Sequence, residues 1–119
     1  MENAIKITVG ETVFTVKLEN NSSAQALVEH LQQGEILIEM NDYANMEKVG
    51  ALPFSLPQNN RQLRTVPGDV ILYLGKYFVI YYGNNDYSLT KLGVVEGDYS
   101  VSELKRILGN GDVSIKISL

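Results

Sequence analysis

Val70-Ile71-Leu72-Tyr73-Leu74 and Tyr77-Phe78-Val79-Ile80-Tyr81-Tyr82 are two apolar runs joined by Gly75-Lys76. Two such runs with a short Gly-containing linker read as a β-hairpin. Both side-chain parities are apolar. Val70, Leu72 and Leu74 share one face, with Ile71 and Tyr73 on the other. In the second run Tyr77, Val79 and Tyr81 share a face, whereas Phe78, Ile80 and Tyr82 share its opposite, so the tyrosines do not all line one pocket. Strands patterned this way are buried on both sides, with a packed interior behind one face and a loop or helix over the other.

Reading outward, Pro67-Gly68-Asp69 is a turn before the hairpin, and Gly83-Asn84-Asn85-Asp86 is a loop after it. A strand follows from Leu89 to Glu96. Ser100-Val101-Ser102-Glu103 is a capping box that opens a helix with Val101, Leu104, Ile107 and Leu108 on its apolar stripe. Gly109 stops it. Asn110-Gly111 leads into Val113–Leu119, which alternates as a strand does.

Toward the N-terminus, Ile5, Ile7 and Val9 alternate with Lys6 and Thr8, and Gly10-Glu11 turns the chain into a strand that carries Phe14, Val16 and Leu18 on one face. Ser22 as N-cap with Gln25 three residues on predicts a helix over 22–33. Its stripe is Ala24, Leu27, Val28 and Leu31, and Gly34 ends it. Glu35–Asn41 reads as a third strand. Residues 42–68 show no clean periodicity. They contain Leu52-Pro53 and Leu56-Pro57, which break helices, and a short strand is expected near Leu63–Val66. Irregular stretches of this length inside a domain are often functional.

The tally is seven or eight strands and two short helices, without the βαβ alternation of a parallel sheet. A mainly β chain of this size closes best as one antiparallel barrel, which also removes exposed edges. The 119 residues fit one domain, 1–119. There are 14 acids against 10 basic residues, for a net charge of −4. Residues 1–60 hold three Lys and eight acids, and 61–119 hold seven basic residues and six acids. No basic run interleaves with aromatics, so no nucleic-acid partner is expected. The chain has no Cys and one His, His30, which argues against thiol chemistry, disulfides and multi-His metal sites, and no metal or cofactor is expected. No stretch approaches the about 20 apolar residues of a membrane span, and Met-Glu-Asn-Ala lacks the layout of a secretory signal. The expectation is a soluble, cytoplasmic protein with no membrane partner.

The order of these elements resembles the small prokaryotic cyclophilin-like domain family. The stretches that carry the resemblance are Glu39-Met40-Asn41-Asp42-Tyr43, the Leu-Pro pairs, Pro67-Gly68-Asp69-Val70, the Tyr-rich hairpin and Lys91-Leu92-Gly93. Asp42 stands where Gly is usual in that family, and Lys91 where Arg is usual. The resemblance implies a closed antiparallel eight-stranded barrel with two short capping helices, and supplies shape more than activity. Prolyl isomerisation needs an apolar pocket and a donor to the amide nitrogen as its resonance is lost. The Phe-His-Arg and Phe-Met-x-Gln-Gly-Gly-Asp-like stretches of true cyclophilins are absent here, as is any Trp.

Five of the seven Tyr (Tyr73, Tyr77, Tyr81, Tyr82 and Tyr87) fall within fifteen residues. They read either as half-exposed strand residues or as the wall of a ligand groove. Met40, Asn41 and Tyr43 lead into the irregular segment, where they form either a binding rim or plain turn chemistry. Phe54 either plugs the core or covers a groove. His30 belongs on the flank of its helix. Asp69, Asp98 and Asp112 each adjoin Gly and read as turn residues. Lys91 is the candidate cation for an anionic ligand. The expected binding set is therefore Met40, Asn41, Tyr43, Phe54, Tyr81 and Lys91, taking a small molecule or peptide segment, in a monomer or weak homo-oligomer. The alternatives are a weak peptidyl-prolyl isomerase using Arg61 or Arg64 as donor, and a self-associating module whose Tyr-rich face is the interface.

Overall fold

A computed structural model describes residues 3–43, 47–97, 99–109 and 111–119. Strands β1 (Ala4–Val9) and β2 (Thr12–Leu18) form the first hairpin, turned at Gly10 with φ 58°. Helix α1 (Ser22–Leu31) follows, then β3 (Ile36–Tyr43), β4 (Glu47–Ala51), β5 (Arg61–Arg64), β6 (Asp69–Tyr73), β7 (Tyr77–Tyr81) and β8 (Asp86–Val95). Helix α2 (Val101–Leu108) and β9 (Val113–Ser118) complete the chain. Every pairing is antiparallel, in the order β2-β1-β9-β3-β4-β7-β6-β8, and β8 pairs again with β2 to close an eight-stranded barrel. β5 lies outside that ring, paired with the first half of β8. Among the described residues no helix is long and apolar enough to cross a membrane.

Alternation decides what fills the barrel. Ile5, Ile7, Phe14 and Val16 face inward from β1 and β2, with Ile5 opposite Val16 and Ile7 opposite Phe14. Ile115 and Ile117 meet them from β9, and Val70, Leu72, Phe78, Ile80 and Leu92 from the opposite wall. Both helices contribute to the same core, α1 through Leu27, Val28 and Leu31, and α2 through Leu104 and Leu108. Each fully buried aliphatic side chain contributes about 1.5–3 kcal/mol, so the helices are held by burial more than by propensity. The capping box at Ser100 and Glu103 and the stop at Gly109 are present in α2.

Several local expectations are corrected. α1 is capped by Asn21, whose side chain accepts from the Ala24 amide, not by Ser22. Val101 is 39% exposed and lies off the apolar stripe. The β6–β7 linker has three residues, Leu74–Lys76. Leu74 and Gly75 both take positive φ (55° and 74°), so Leu74 leaves the inner face and reaches solvent. β3 runs on to Tyr43, so Asn41 and Asp42 are strand residues opposite Val49 and Lys48. The segment expected to be irregular contains β4, which has no apolar alternation because its inward positions are Lys48 and Gly50. Gly50 is required there: a Cβ would lie 2.6 Å from the Glu39 carbonyl. The short strand of that segment is Arg61–Arg64, two residues earlier than expected. Asp98 and Asn110 lie outside the described residues.

Residues 52–60 are ordered by bonds at both ends. Leu52 and Leu56 are buried in the core, and their amides donate to the Lys76 and Gly75 carbonyls. The Asn59 side chain donates to Ser22 and Ser23 of α1 at 2.8 Å, and its amide to Thr90 of β8 at 2.8 Å.

The closing seam sets the tightest backbone contact. At Gly93, opposite Leu18, a Cβ would lie 2.3 Å from the Lys17 carbonyl. Gly93→Ala is therefore expected to lower stability by about 1–3 kcal/mol, since neither strand can retreat without opening the ring. Urea denaturation checks this, and an unchanged midpoint would contradict it.

Candidate functional site

β6, β7 and β8 carry a second apolar face on the outside of the barrel. Ile71, Val79, Tyr81 and Leu89 are buried there as a cluster separate from the main core, flanked by Val49, Leu63, Tyr73 and Tyr77. β4 extends this face, since Glu47, Val49 and Ala51 stand opposite Tyr81, Val79 and Tyr77. Together with Asn41, Asp42 and Tyr43 from the end of β3, and Asn85, Tyr87 and Leu89 from β8 and the loop before it, these residues line a groove of about 870 Å³. That volume falls in the range of about 300–1,000 Å³ typical of small-molecule sites.

Five tyrosines shape the groove: Tyr43, Tyr73, Tyr77, Tyr81 and Tyr87. The Tyr73 ring is 6.3 Å from Tyr77 and 6.1 Å from Tyr87, centroid to centroid, with tilts of 34° and 57°. The neighbouring Tyr87 hydroxyl raises the Tyr73 pKa above the usual phenol value. Tyr81 is almost wholly buried, its hydroxyl accepts from the Asn85 side chain at 3.1 Å, and Glu47 stands opposite it on β4. Burial, followed by the Glu47 carboxyl, raises the Tyr81 pKa, so the phenol stays protonated.

Glu47 is the unusual group of the floor. It is only 8% exposed, and among the described residues its Oε2 is buried without a hydrogen-bond partner. Burial raises its pKa above the ordinary 4.5, the negative charge of Asp42 adds to the rise, and the Tyr81 hydroxyl opposes it. Glu39 and Asp42 also line the groove, and no Lys, Arg or His does so among the described residues. Asp42 serves the barrel interior too. It accepts from the buried Tyr82 hydroxyl, and the fully buried Lys48 ammonium lies 3.5 Å from its Oδ1 while also donating to the Gly111 carbonyl.

The structure brings together three of the six expected binding residues. Asn41, Tyr43 and Tyr81 line the groove, and the Asn41 amide donates to Asp112 at 2.7 Å. Met40 has the opposite parity and is fully buried inside the barrel. Phe54 packs against α1 instead, its ring stacked on His30 at 3.7 Å. Lys91 lies opposite Ile71 and outside the groove, with its ammonium 3.4 Å from the buried Asp69 carboxylate. That carboxylate also accepts from the Val66 amide, as its turn position suggested. Arg61 and Arg64 are exposed on β5 and face Glu19 and Asp86 at 3.6 and 3.7 Å, also outside the groove. Glu47, Tyr73, Tyr77 and Tyr87 also line the groove; the three tyrosines belong to the cluster read as a possible groove wall, although they were outside the expected binding set. The hairpin parity pointed to Tyr77, whereas nothing in the sequence around Glu47 marked it as buried.

The sequence matches the model of the Cyclophilin-like family over residues 7–118, and the chain belongs to that family. A structural likeness is found in a hypothetical protein from Archaeoglobus fulgidus, determined in solution. Its TM-score is 0.64 at 12% identity, over 98% of this chain and 94% of that one. At that identity the likeness establishes the fold alone. No curated protein matches the sequence.

The raised pKa of Glu47 has a consequence for stability. The folded protein holds a proton that the unfolded chain has already lost, so stability falls as pH climbs from about 4.5 through the folded value. Glu47→Gln removes that fall. Its stability relative to the parent is expected to improve between about pH 4 and about pH 8, measured by urea midpoints, and an equal difference at both values would contradict the assignment.

Proposed function

We propose that this cyclophilin-like barrel is a binding protein that takes a small molecule in the Tyr-lined groove on the outer face of β4, β6, β7 and β8. The observation that carries the reading is the second apolar cluster. A barrel face that served only to meet water would not hold Ile71, Val79, Tyr81 and Leu89 buried beneath a row of tyrosines. Phenol rings offer apolar area at a low cost in side-chain freedom and keep a hydroxyl for hydrogen bonding, which suits a wall that contacts ligand directly. The isomerase alternative is less well supported. It needs a donor aimed at the proline nitrogen, and Arg61 and Arg64 both stand beside carboxylates outside the groove.

Two measurements check this reading. In a titration of ¹⁵N-labelled protein with benzyl alcohol as a neutral apolar probe, the amides of Val49, Val79 and Leu89 are expected to shift first. Tyr77→Ala is expected to weaken that response. Shifts scattered over the surface, or none, would contradict the groove as a binding site. A coupled assay on X–Pro peptides is expected to show no acceleration, and an acceleration lost in Arg61→Ala or Arg64→Ala would establish the isomerase instead.

A further inference from the structure

We infer that the groove selects a small organic ammonium ion, held over the tyrosine rings with its charge against the Glu47 carboxylate. This rests on reading the groove as a binding site and adds the chemistry of what it takes. The first support is charge. Glu39, Asp42 and Glu47 all border the groove, and among the described residues no cationic side chain lines it. Asp42 has Lys48 beside it, whereas Glu47 Oε2 is buried without a hydrogen-bond partner among the described residues. A buried carboxylate oxygen without a partner is costly in any fold, and a cation on the groove floor beside Glu47 offsets the charge of that carboxylate.

The second support is the rings. The Tyr77 and Tyr87 rings lie 6.3 and 6.1 Å from Tyr73 and are tilted to it, so neither covers Tyr73 in a flat stack and π surface is left for a guest. The face of an aromatic ring attracts a cation within about 6 Å of its centroid, most strongly where water is excluded. The protein already shows this chemistry at the rim, where the Lys76 ammonium lies 5.2 Å from the Tyr77 centroid. An alkylated ammonium, whose methyl groups match the apolar floor of Val49, Val79 and Leu89, fits both features. An anion fits neither, and Lys91, the cation that would have suited one, is turned to Asp69.

The test compares choline with 3,3-dimethylbutan-1-ol, its uncharged carbon isostere, by ¹⁵N-detected titration of the intact protein. Choline is expected to bind about tenfold more tightly, with shifts centred on Val49, Val79 and Leu89. Glu47→Gln is expected to shrink that preference, read as the ratio of the two dissociation constants. Equal binding of the two compounds would overturn the inference and leave the groove standing as a neutral site. No response to either would remove the inference together with the binding reading. A capped Gly-Lys-Gly peptide that binds more tightly than choline would replace the small ligand with a protein-borne ammonium. The choline comparison uses the parent protein, so the inference remains testable if Glu47→Gln fails to fold.

Discussion

The structure depends on the meeting of β2 with the last residues of β8. Without that seam the sheet would be an open, strongly twisted ribbon with β2 and β8 as free edges, each a row of unpaired amides. With it, eight strands enclose one core and the edges vanish. The contact is close enough that the position opposite Leu18 has no room for a side chain, which explains a glycine in the interior of a strand otherwise rich in apolar residues. β8 is the common partner, bonded to β6 along one side and to β5 and then β2 along the other. Its ten residues allow the seam and the outer strand to be built from one element.

Closing the ring separates inner from outer parity all the way round. In most strands the outer parity is polar and meets water. In β6 and β7 it is apolar, so the hairpin has a second interior to fill. β5 covers one margin of that second face, and the end of β3 and the whole of β4 border the other. What is left between them is the groove. Its aromatic walls and its acidic floor come from the same pairing, Glu47 opposite Tyr81, which places a carboxylate where an apolar side chain would ordinarily sit. The Tyr81 hydroxyl offsets part of the polar cost of that substitution, and fold and candidate chemistry therefore meet at one cross-strand pair.

How much of this was legible in the sequence follows from whether the signal was local. The two faces of the hairpin were readable because parity is a property of neighbouring residues. Tyr77, Val79 and Tyr81 face the groove, and Phe78, Ile80 and Tyr82 face the core, as the alternation required. The capping box of α2 was equally local. β4 was not legible, because its inward side chains are a lysine paired through space with Asp42 and a glycine excluded by the β3 backbone. Lys91 looked like a free cation because its partner, Asp69, is brought to it only by the β6–β8 register. Phe54 belongs to α1 through a stack on His30 that no spacing in the sequence encodes.

Amide hydrogen exchange across the seam tests the central claim most directly. The Glu19 amide donates to the Leu92 carbonyl and the Glu96 amide to the Thr15 carbonyl, both at 2.8 Å, and neither bond exists unless β2 and β8 are joined. Both amides should exchange as slowly as those in the middle of β1 and β9, through global unfolding alone. Exchange at the rate of exposed loops, with β1 and β9 still protected, would mean that the cylinder is open and that the account built on its closure is wrong.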